Sequence, residues 1–414
     1  MKLCVLIGCF LGMRLSVVWA GEEMIDRLDD ALTWSAANDR LRVRASGTVE
    51  LEWYQLDSPE YSLVHSEDDS LLNPRLSLFL DAQAGARWYF FIQTRWDHGF
   101  DPAEGAAQFR FDEYALRYTV RDDGRLNFQI GKFATVVGNW TNRHLAWDNP
   151  FVTAPLPYES LTGIFDDTAA NTTEILLRWA NLGPTSGNAS SIRPYRVPIL
   201  WGPSYASGAA VSGKLGRINY AVELKNASLS SRPASWDATR VQWQHPTVSG
   251  RLGYRPDESW DFGVSVSTGS YLRSVAEPNL AAGTKLGDYR ELVIGQDVGY
   301  AWHHLQFWAE AYEARFQIPR VGDADVFAYY LEARYKFTPQ FSGALRWNEQ
   351  RYGRVPDAKG QMVKWGDDVW RIDFAPCYRL TPHSELKVQY SLQGGGTAPR
   401  NHSTTLAAQF VLRF

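Results

Sequence analysis

From Leu41 to Trp53 the chain alternates without a break. Leu41, Val43, Ala45, Gly47, Val49, Leu51 and Trp53 share one face, and Arg42, Arg44, Ser46, Thr48, Glu50 and Glu52 share the other. A period of two is the side-chain repeat of a β-strand. The run exceeds the ~9–11 residues that a tilted strand needs to cross a bilayer. The end of the chain repeats the pattern, with Leu406, Ala408, Phe410, Leu412 and Phe414 on one face. After residue 20 no long uncharged apolar run occurs. Only helices and closed barrels satisfy their backbone in lipid. A membrane reading of this chain is therefore all-β: a transmembrane antiparallel up-and-down β-barrel.

Further strands follow the same rule. Tyr114, Leu116, Tyr118 and Val120 lead through Arg121-Asp122-Asp123-Gly124 into Leu126, Phe128 and Ile130, and an Asp-Gly pair between alternating runs signals a hairpin. Leu305, Phe307, Ala309 and Ala311 precede a connection at about 318–325, and Tyr329, Leu331, Ala333 and Tyr335 follow it. Short connections near 85, 122, 215, 256, 303, 338 and 381 alternate with longer polar ones, the longest at about 134–171. This asymmetry matches periplasmic turns and extracellular loops. Seventeen strands are marked this way. A single-chain bacterial barrel has an even number, so one more is expected within 189–201, giving 18 strands, with 16 as the alternative. A soluble sandwich or propeller would have shorter strands and would bury its aromatics. The 57 aromatic residues fit girdles at two membrane interfaces.

Residues 1–20 read as a signal peptide. Lys2 is the basic start, Leu3 to Leu11 the apolar stretch, and Val18-Trp19-Ala20 the cleavage site. Lipidation at Cys9 is a second reading of this segment. Residues 21–40, with Ile25, Leu28 and Leu32 at helical spacing, are expected to form a short periplasmic helix or plug, or a frayed tail. Residues 41–414 form the barrel. Without Lys2 and Arg14 the chain holds 40 basic and 46 acidic side chains, a net −6. That leaves no nucleic-acid footprint. Cys377 is the one cysteine outside the signal, so no internal disulfide is possible.

Several segments carry a family resemblance. They are Phe128-Gln129-Ile130-Gly131-Lys132-Phe133 with Gly138-Asn139, Val211-Ser212-Gly213-Lys214-Leu215-Gly216-Arg217, Tyr329 to Lys336, and the closing Phe414. With these the chain resembles, over about 41–414, the phosphate-selective porin O and P family of outer-membrane channels. The resemblance implies a bacterial outer-membrane location among lipid, a homotrimer, and anion preference set by basic residues crowding the lumen. It assigns no residue of this chain to a substrate.

Phasing each strand by its apolar face gives the residues expected to face the lumen. The basic ones are Arg42, Arg44, Arg75, Arg95, Arg117, Arg178, Arg251, Arg334, Arg346, Arg371, Arg379 and Lys387. The acidic ones are Glu50, Glu52, Asp81, Asp97, Glu113, Glu174, Glu223, Asp261, Asp297, Glu310, Glu332 and Asp373. Equal numbers predict cross-strand pairing for most of them, and a wet, charged lumen predicts a polar cargo. The stretch 139–171 breaks strand phase and is rich in Trp, Pro and Phe. A loop this long is functional or disordered, and its aromatics speak against disorder. One expectation is a constriction loop inside the barrel, with Arg143, His144, Asp148 and Glu159 at the narrowest point. The other is a loop packed on the rim or at a trimer contact.

No catalytic set is legible. His383 and Ser384 are adjacent strand residues and point to opposite faces, and His303-His304 has no carboxylate or cysteine at ligand spacing. The expectation is a non-enzymatic diffusion channel for small polar solutes or ions, without metal or cofactor. The alternative is a structural or adhesive barrel that conducts nothing. An apolar-compound transporter and a barrel lipase using Ser384 are further alternatives.

Overall fold

The computed structural model describes residues 24–28, 30–57, 62–66, 69–99, 106–181, 196–233, 243–395 and 402–414. Sixteen antiparallel strands close into one barrel. They are β1 (Leu41–Leu56), β2 (Ser70–Ala84), β3 (Trp88–Asp97), β4 (Gln108–Thr119), β5 (Asn127–Phe133), β6 (Ala206–Leu215), β7 (Ile218–Lys225) and β8 (Thr247–Tyr254). The second half comprises β9 (Trp260–Ser270), β10 (Arg290–Trp302), β11 (Leu305–Ile318), β12 (Gly322–Lys336), β13 (Phe341–Tyr352), β14 (Val369–Thr381), β15 (Ser384–Gly395) and β16 (His402–Arg413). Each strand pairs with its neighbour in sequence, and β16 pairs with β1 in the register Phe410 opposite Leu51. Closure removes the sheet edges. It is finished by Phe414, whose N–H donates to Gly47 O at 3.0 Å while Gly47 N–H donates to Phe414 O at 2.8 Å. A Cβ on Gly47 would lie 2.6 Å from the Phe414 ring, so this closure depends on glycine there.

The two faces separate as the alternation predicts. Leu51, Trp53, Leu78, Phe128, Val264, Leu345 and Tyr390 are exposed on the outer face. Glu50, Glu52, Asp297, Glu332, Asp373 and Lys387 are buried on the inner one. Among the described residues no helix is long and apolar enough to cross a membrane. The strands form the crossing, with an apolar outside and a polar inside.

The wall has 16 strands rather than the favoured 18. Glu174 and Arg178 do not face the lumen from a strand, because residues 173–181 form helix α1 (Thr173–Asn181). Thr172 caps it: Ile175 N–H donates to its side chain at 3.3 Å. Leu176 and Ala180 lie four residues apart on one face, with Trp179 beside them, and pack against the interior. Glu174 and Arg178 are exposed, near the helix ends that favour their charges. An apolar pair at a spacing of four serves a helix, whereas strand phasing reads only every second residue. Of the strand expected within 189–201, residues 189–195 lie outside the described residues. Residues 196–201 are irregular apart from a bridge between Arg196 and Phe165. Val197, Ile199, Leu200 and Trp201 are buried inside the barrel. The long connection therefore runs from 134 to 205.

Strands β11 and β12 extend further than the sequence pattern indicates, joined by residues 319–321 alone. Beyond Ala311 the polarity of the faces inverts. Tyr312, Ala314, Phe316 and Ile318 are buried inside, while Glu313 and Gln317 face outward. Arg315 and Asp325 meet on the outside at 2.7 Å. These ends stand above the lipid, so their outer face meets water. At the other end of the barrel, Thr33–Ala36 pairs with the start of β1. Nearby, Asp26 meets His383 of the β14–β15 turn at 2.8 Å.

Candidate functional site

Two different surfaces make up the inner wall. On β1–β4 it is charged, and its charges are matched. Arg75 pairs with Glu52, and with Glu50 at 3.4 Å. Glu52 also accepts from Asn73 at 3.0 Å and from Gln409 at 2.7 Å. Arg110 pairs with Asp97, and with Asp112 at 2.7 Å; Arg95 meets Asp112 at 3.2 Å. A bulge in β4 creates this arrangement. Gln93 faces Glu113 and Thr94 faces Phe111, which leaves Asp112 as the extra residue. A bulge lets successive side chains reach the same side. Asp112 holds the two arginines, while Glu113 accepts from the Ala134 N–H at 2.6 Å.

On β10–β15 the inner wall grips the long loop. Leaving the sheet at 134 buries a backbone with no ladder to join, and buried N–H groups need acceptors. Inward side chains supply them. Glu310 accepts from Asn139 N at 2.5 Å, Trp140 N at 2.6 Å and the Tyr158 hydroxyl at 2.5 Å. Gln389 accepts from Val152 N at 2.7 Å and Thr153 N at 3.1 Å. Asn348 accepts from Leu156 N at 3.2 Å. Lys387 donates to the carbonyls of Ala146 and Asn149, the latter at 2.7 Å. Arg346 reaches the Thr153 hydroxyl at 3.0 Å and Asp373 at 2.8 Å. The first loop residues are held from β7, where Glu223 accepts from Thr135 at 2.6 Å and Val136 N at 3.2 Å. Gly138 makes the turn into this network at φ +77°, where a Cβ would meet the Tyr312 hydroxyl at 2.1 Å.

Behind these bonds lies a hydrophobic core that fills one side of the lumen. Val137, Trp140, Tyr158, Leu161, Ile164 and Leu200 of the loop pack against Val293, Tyr312, Phe316, Val326, Ala328 and Tyr330 of β10–β12. A cavity of about 170 Å³ remains between the loop and the β1–β4 wall. Glu52, Tyr54, Asn73, Arg75, Arg95, Asp97 and Arg110 border it from the wall, and Trp140, His144, Tyr158, Glu159, Trp201 and Tyr205 from the loop.

The four loop candidates do not meet at one point. Arg143 is turned into β11–β12: it bonds Glu332 at 2.5 Å and Tyr330 at 3.0 Å, and lies 4.3 Å from the Trp308 ring. Glu159 borders the cavity but is tied to Arg371. Burial raises the pKa of its carboxyl and Arg371 opposes the rise. His144 also borders the cavity, with Nδ1 2.6 Å from Thr141 O and Nε2 2.7 Å from the Tyr205 hydroxyl. Thr141 O can only accept, so Nδ1 carries the proton and Nε2 accepts from Tyr205. Burial lowers the His144 pKa to about 4. Asp148 is exposed at its side chain, and the partial desolvation of its carboxyl by the packed loop raises its pKa.

The strand cations divide as well. Arg75 and Arg95 border the cavity, while Arg346, Arg371 and Lys387 clamp the loop. Arg251 pairs with Asp297 at 2.5 Å and bonds Asn219 at 3.1 Å. Arg117 is exposed and bonds Gln129 at 2.8 Å. Arg42 and Arg44 are exposed toward the turn end of β1. Arg334 and Arg379 border a small cavity near the turns together with Lys336, and Arg379 and Arg413 flank the Trp147 ring at 5.2 and 4.1 Å. Sequence phasing missed Arg110, Asp112 and Glu291. The alternation Phe109-Arg110-Phe111-Asp112 carried the signal for the first two, but the bulge puts it out of step with Leu116. Glu291, which accepts from Leu229 N at 2.8 Å, sits where the loop-end inversion begins. Among the described residues no group of His, Cys, Asp and Glu is placed to hold a metal.

Solved structures share this architecture. Salmonella typhi OmpF in complex with daunomycin aligns at a TM-score of 0.56 and 11% identity, covering 92% of this chain and 100% of that one. The outer membrane channel DcaP of Acinetobacter baumannii aligns at 0.55 and 11%, covering 92% and 99%. The anion-selective porin from Comamonas acidovorans aligns at 0.52 and 10%, covering 90% and 100%. The chain has the fold of outer-membrane porins. No family model matches it, and no curated protein does; the narrower resemblance to the phosphate-selective family stays an expectation.

Proposed function

We propose that the protein is a passive, non-enzymatic diffusion channel of the bacterial outer membrane for small polar solutes, with the loop 134–205 as its constriction. The observation that carries this reading is the off-centre cavity between the loop and the β1–β4 wall. A side chain or peptide group bonded into the opposite wall narrows the lumen without closing it. Water and small solutes then pass along the charged side. Transport needs no chemistry here: width and field set what passes.

A mild anion preference belongs to the same reading. At the cavity each wall arginine has a carboxylate partner, so the narrow section carries little net field. Near the turns the balance differs. Lys336 has Arg334 and Arg379 beside it, and among the described residues none of the three makes an ion pair. That end therefore draws anions in, while the narrow section discriminates weakly. A homotrimer is also part of the proposal. The outer face of β3–β8 holds an apolar groove of about 410 Å³, bordered by Trp88, Leu116, Phe128, Ile130, Ala209 and Val222, and suited to a neighbouring barrel.

Reconstitution in a planar bilayer tests all three parts. The expected result is stepwise conductance, steps closing in threes, and a small chloride-directed reversal potential in a KCl gradient. Cation-directed reversal removes the anion preference and leaves the channel. Silence favours the structural barrel.

A further inference from the structure

We infer that the outer face of β5–β8 is the surface on which copies of this chain meet, turned toward the axis of the trimer; this deepens the trimer part of the reading above and rests on it. Three observations single out this sector. The first is the height of the wall. β5, β7 and β8 have 7, 8 and 8 residues, whereas β11–β14 have 12 to 15. A tilted strand needs ~9–11 residues to cross the bilayer. An apolar band shorter than the lipid is accommodated by thinning the bilayer or by association with another protein.

The second is a one-sided gap in the outward aromatic rings, which mark the two lipid interfaces of a barrel. At the turn ends the rings continue through this sector, with Phe128, Tyr254 and Trp260 exposed. At the loop ends, Trp53, Trp96 and Phe109 stand on β1, β3 and β4, and Phe327 and Trp347 on β12 and β13. Between them, β5 to β10 expose Ile130, Ala209, Leu224, Val248, Val266 and Ile294, with no ring. The third is the groove, which lies in the same sector and is bordered by Ala209, Val211, Val222 and Val248. Side chains this short let two walls approach closely.

Lipid tails would fill the groove but would leave the short wall and the missing rings without a reason. A second barrel replaces lipid along the whole height and accounts for all three. Among the outward residues of β5–β8 that are exposed, none carries a charge, so the face gives an unlike partner no ionic handle and matches its own kind. A closed three-fold ring turns one contiguous sector of each barrel toward its axis, and β5–β10 form such a sector of the 16-strand wall.

The test uses the full chain in its outer membrane with Cys377→Ala, so that introduced cysteines are the only thiols of the mature protein. Val222→Cys on β7 and Val388→Cys on β15, on the opposite side of the barrel, are treated with a short thiol cross-linker. The expected result is multimers of this chain alone from Val222→Cys and none from Val388→Cys. Ala209→Trp fills the groove and is expected to lower the trimer fraction in mild detergent by about tenfold, with heat-modifiable gel mobility checking that the barrel has formed. Multimers through Val388→Cys and not Val222→Cys overturn the face and leave the trimer. Adducts that contain a second protein overturn self-association. A conducting protein that stays monomeric and cross-links at neither position removes the face and the trimer together and leaves the channel, with lipid covering the groove.

Discussion

The two halves of the inner wall are built from the same alternating strands and treat the lumen in opposite ways. On β1–β4 the inward residues near the loop are Glu50, Glu52, Arg75, Arg95, Asp97 and Arg110, which pair with one another across neighbouring strands. On β10–β12 the corresponding positions are Val293, Tyr312, Phe316, Val326 and Tyr330, and they bury the loop. A charged wall satisfied by its own pairs stays wetted and leaves space. An apolar wall must be covered, and the loop covers it. The position of the open space beside the loop thus follows from which strands change polarity at their loop ends.

The strongest way to break this contrast is to release the loop from the packed side. Glu310 alone accepts from two loop N–H groups and the Tyr158 hydroxyl. Glu310→Ala leaves the Asn139 and Trp140 N–H groups unpaired, at about 1–3 kcal/mol each, while the Tyr158 hydroxyl keeps only Tyr312. The expected outcome is a loop that swings free, a severalfold rise in single-channel conductance, and new protease cleavage between 139 and 160. The matched change on the open wall, Glu50→Ala, removes one partner of Arg75 and no loop anchor, and should leave step size near that of the original protein. Equal conductance changes in the two variants would erase the distinction between the walls.

The fold was largely legible in the sequence, and the reason is simple. Where a strand crosses lipid, its outer face must be apolar, and a period of two reports it. Legibility ended where lipid ends. On β11 and β12 the inversion after Ala311 made Asp323 and Asp325 look like part of a loop, although they lie on strand. Helix α1 was phased as a strand because Glu174 and Arg178 differ by four, an even number that fits either period. Of the site, Arg75, Arg371 and Lys387 were found by phasing. The main-chain acceptors of Lys387 and Arg371 on the loop were not, because carbonyls such as Asn149 O and Ala154 O carry no residue signature. The split of Arg143 from His144 and Glu159 was invisible for the same reason. Adjacent residues in irregular backbone can face opposite walls, and only Glu332 and Tyr205 decide which.

A smaller perturbation is available on the loop at the open side, through pH. His144 is neutral and half-buried, with its pKa at about 4 against an ordinary value of about 6.5. Burial is the largest cause, and the charge of Arg95 acts in the same direction. Between those two values a released loop binds more protons than the docked one. The docked state is therefore fully favoured above pH 6.5 and loses support as pH falls toward 4, by about 2–3 kcal/mol at most. Below 4 this contribution no longer changes. Protonation also puts a hydrogen on Nε2, where Tyr205 now donates. Loop protease sensitivity should rise between pH 6.5 and 4, and His144→Gln should flatten that dependence. An unchanged profile in the variant would assign the acid effect to other groups.

The finest test addresses charge alone on the open wall. Arg75 is the counter-charge to both Glu50 and Glu52, and all three lie on the inner face of β1 and β2. Arg75→Gln keeps a polar side chain with a hydrogen-bond donor, shorter than arginine by two atoms, and removes the charge, so two carboxylates lose their counter-charge beside the cavity. Their field is partly screened by water, and a residual of roughly 0.7–1.4 kcal/mol corresponds to about a three- to tenfold rise in cation over anion permeability. The effect should shrink as ionic strength rises and its screening length shortens. Arg346→Gln on the packed side supplies the contrast. Arg346 is fully buried between Asp373, Thr153 and the Phe151 ring. Its loss should destabilise the loop and move the reversal potential less than Arg75→Gln does. A larger selectivity shift from Arg346→Gln would place the ion path on the packed side and reverse the assignment of the two walls.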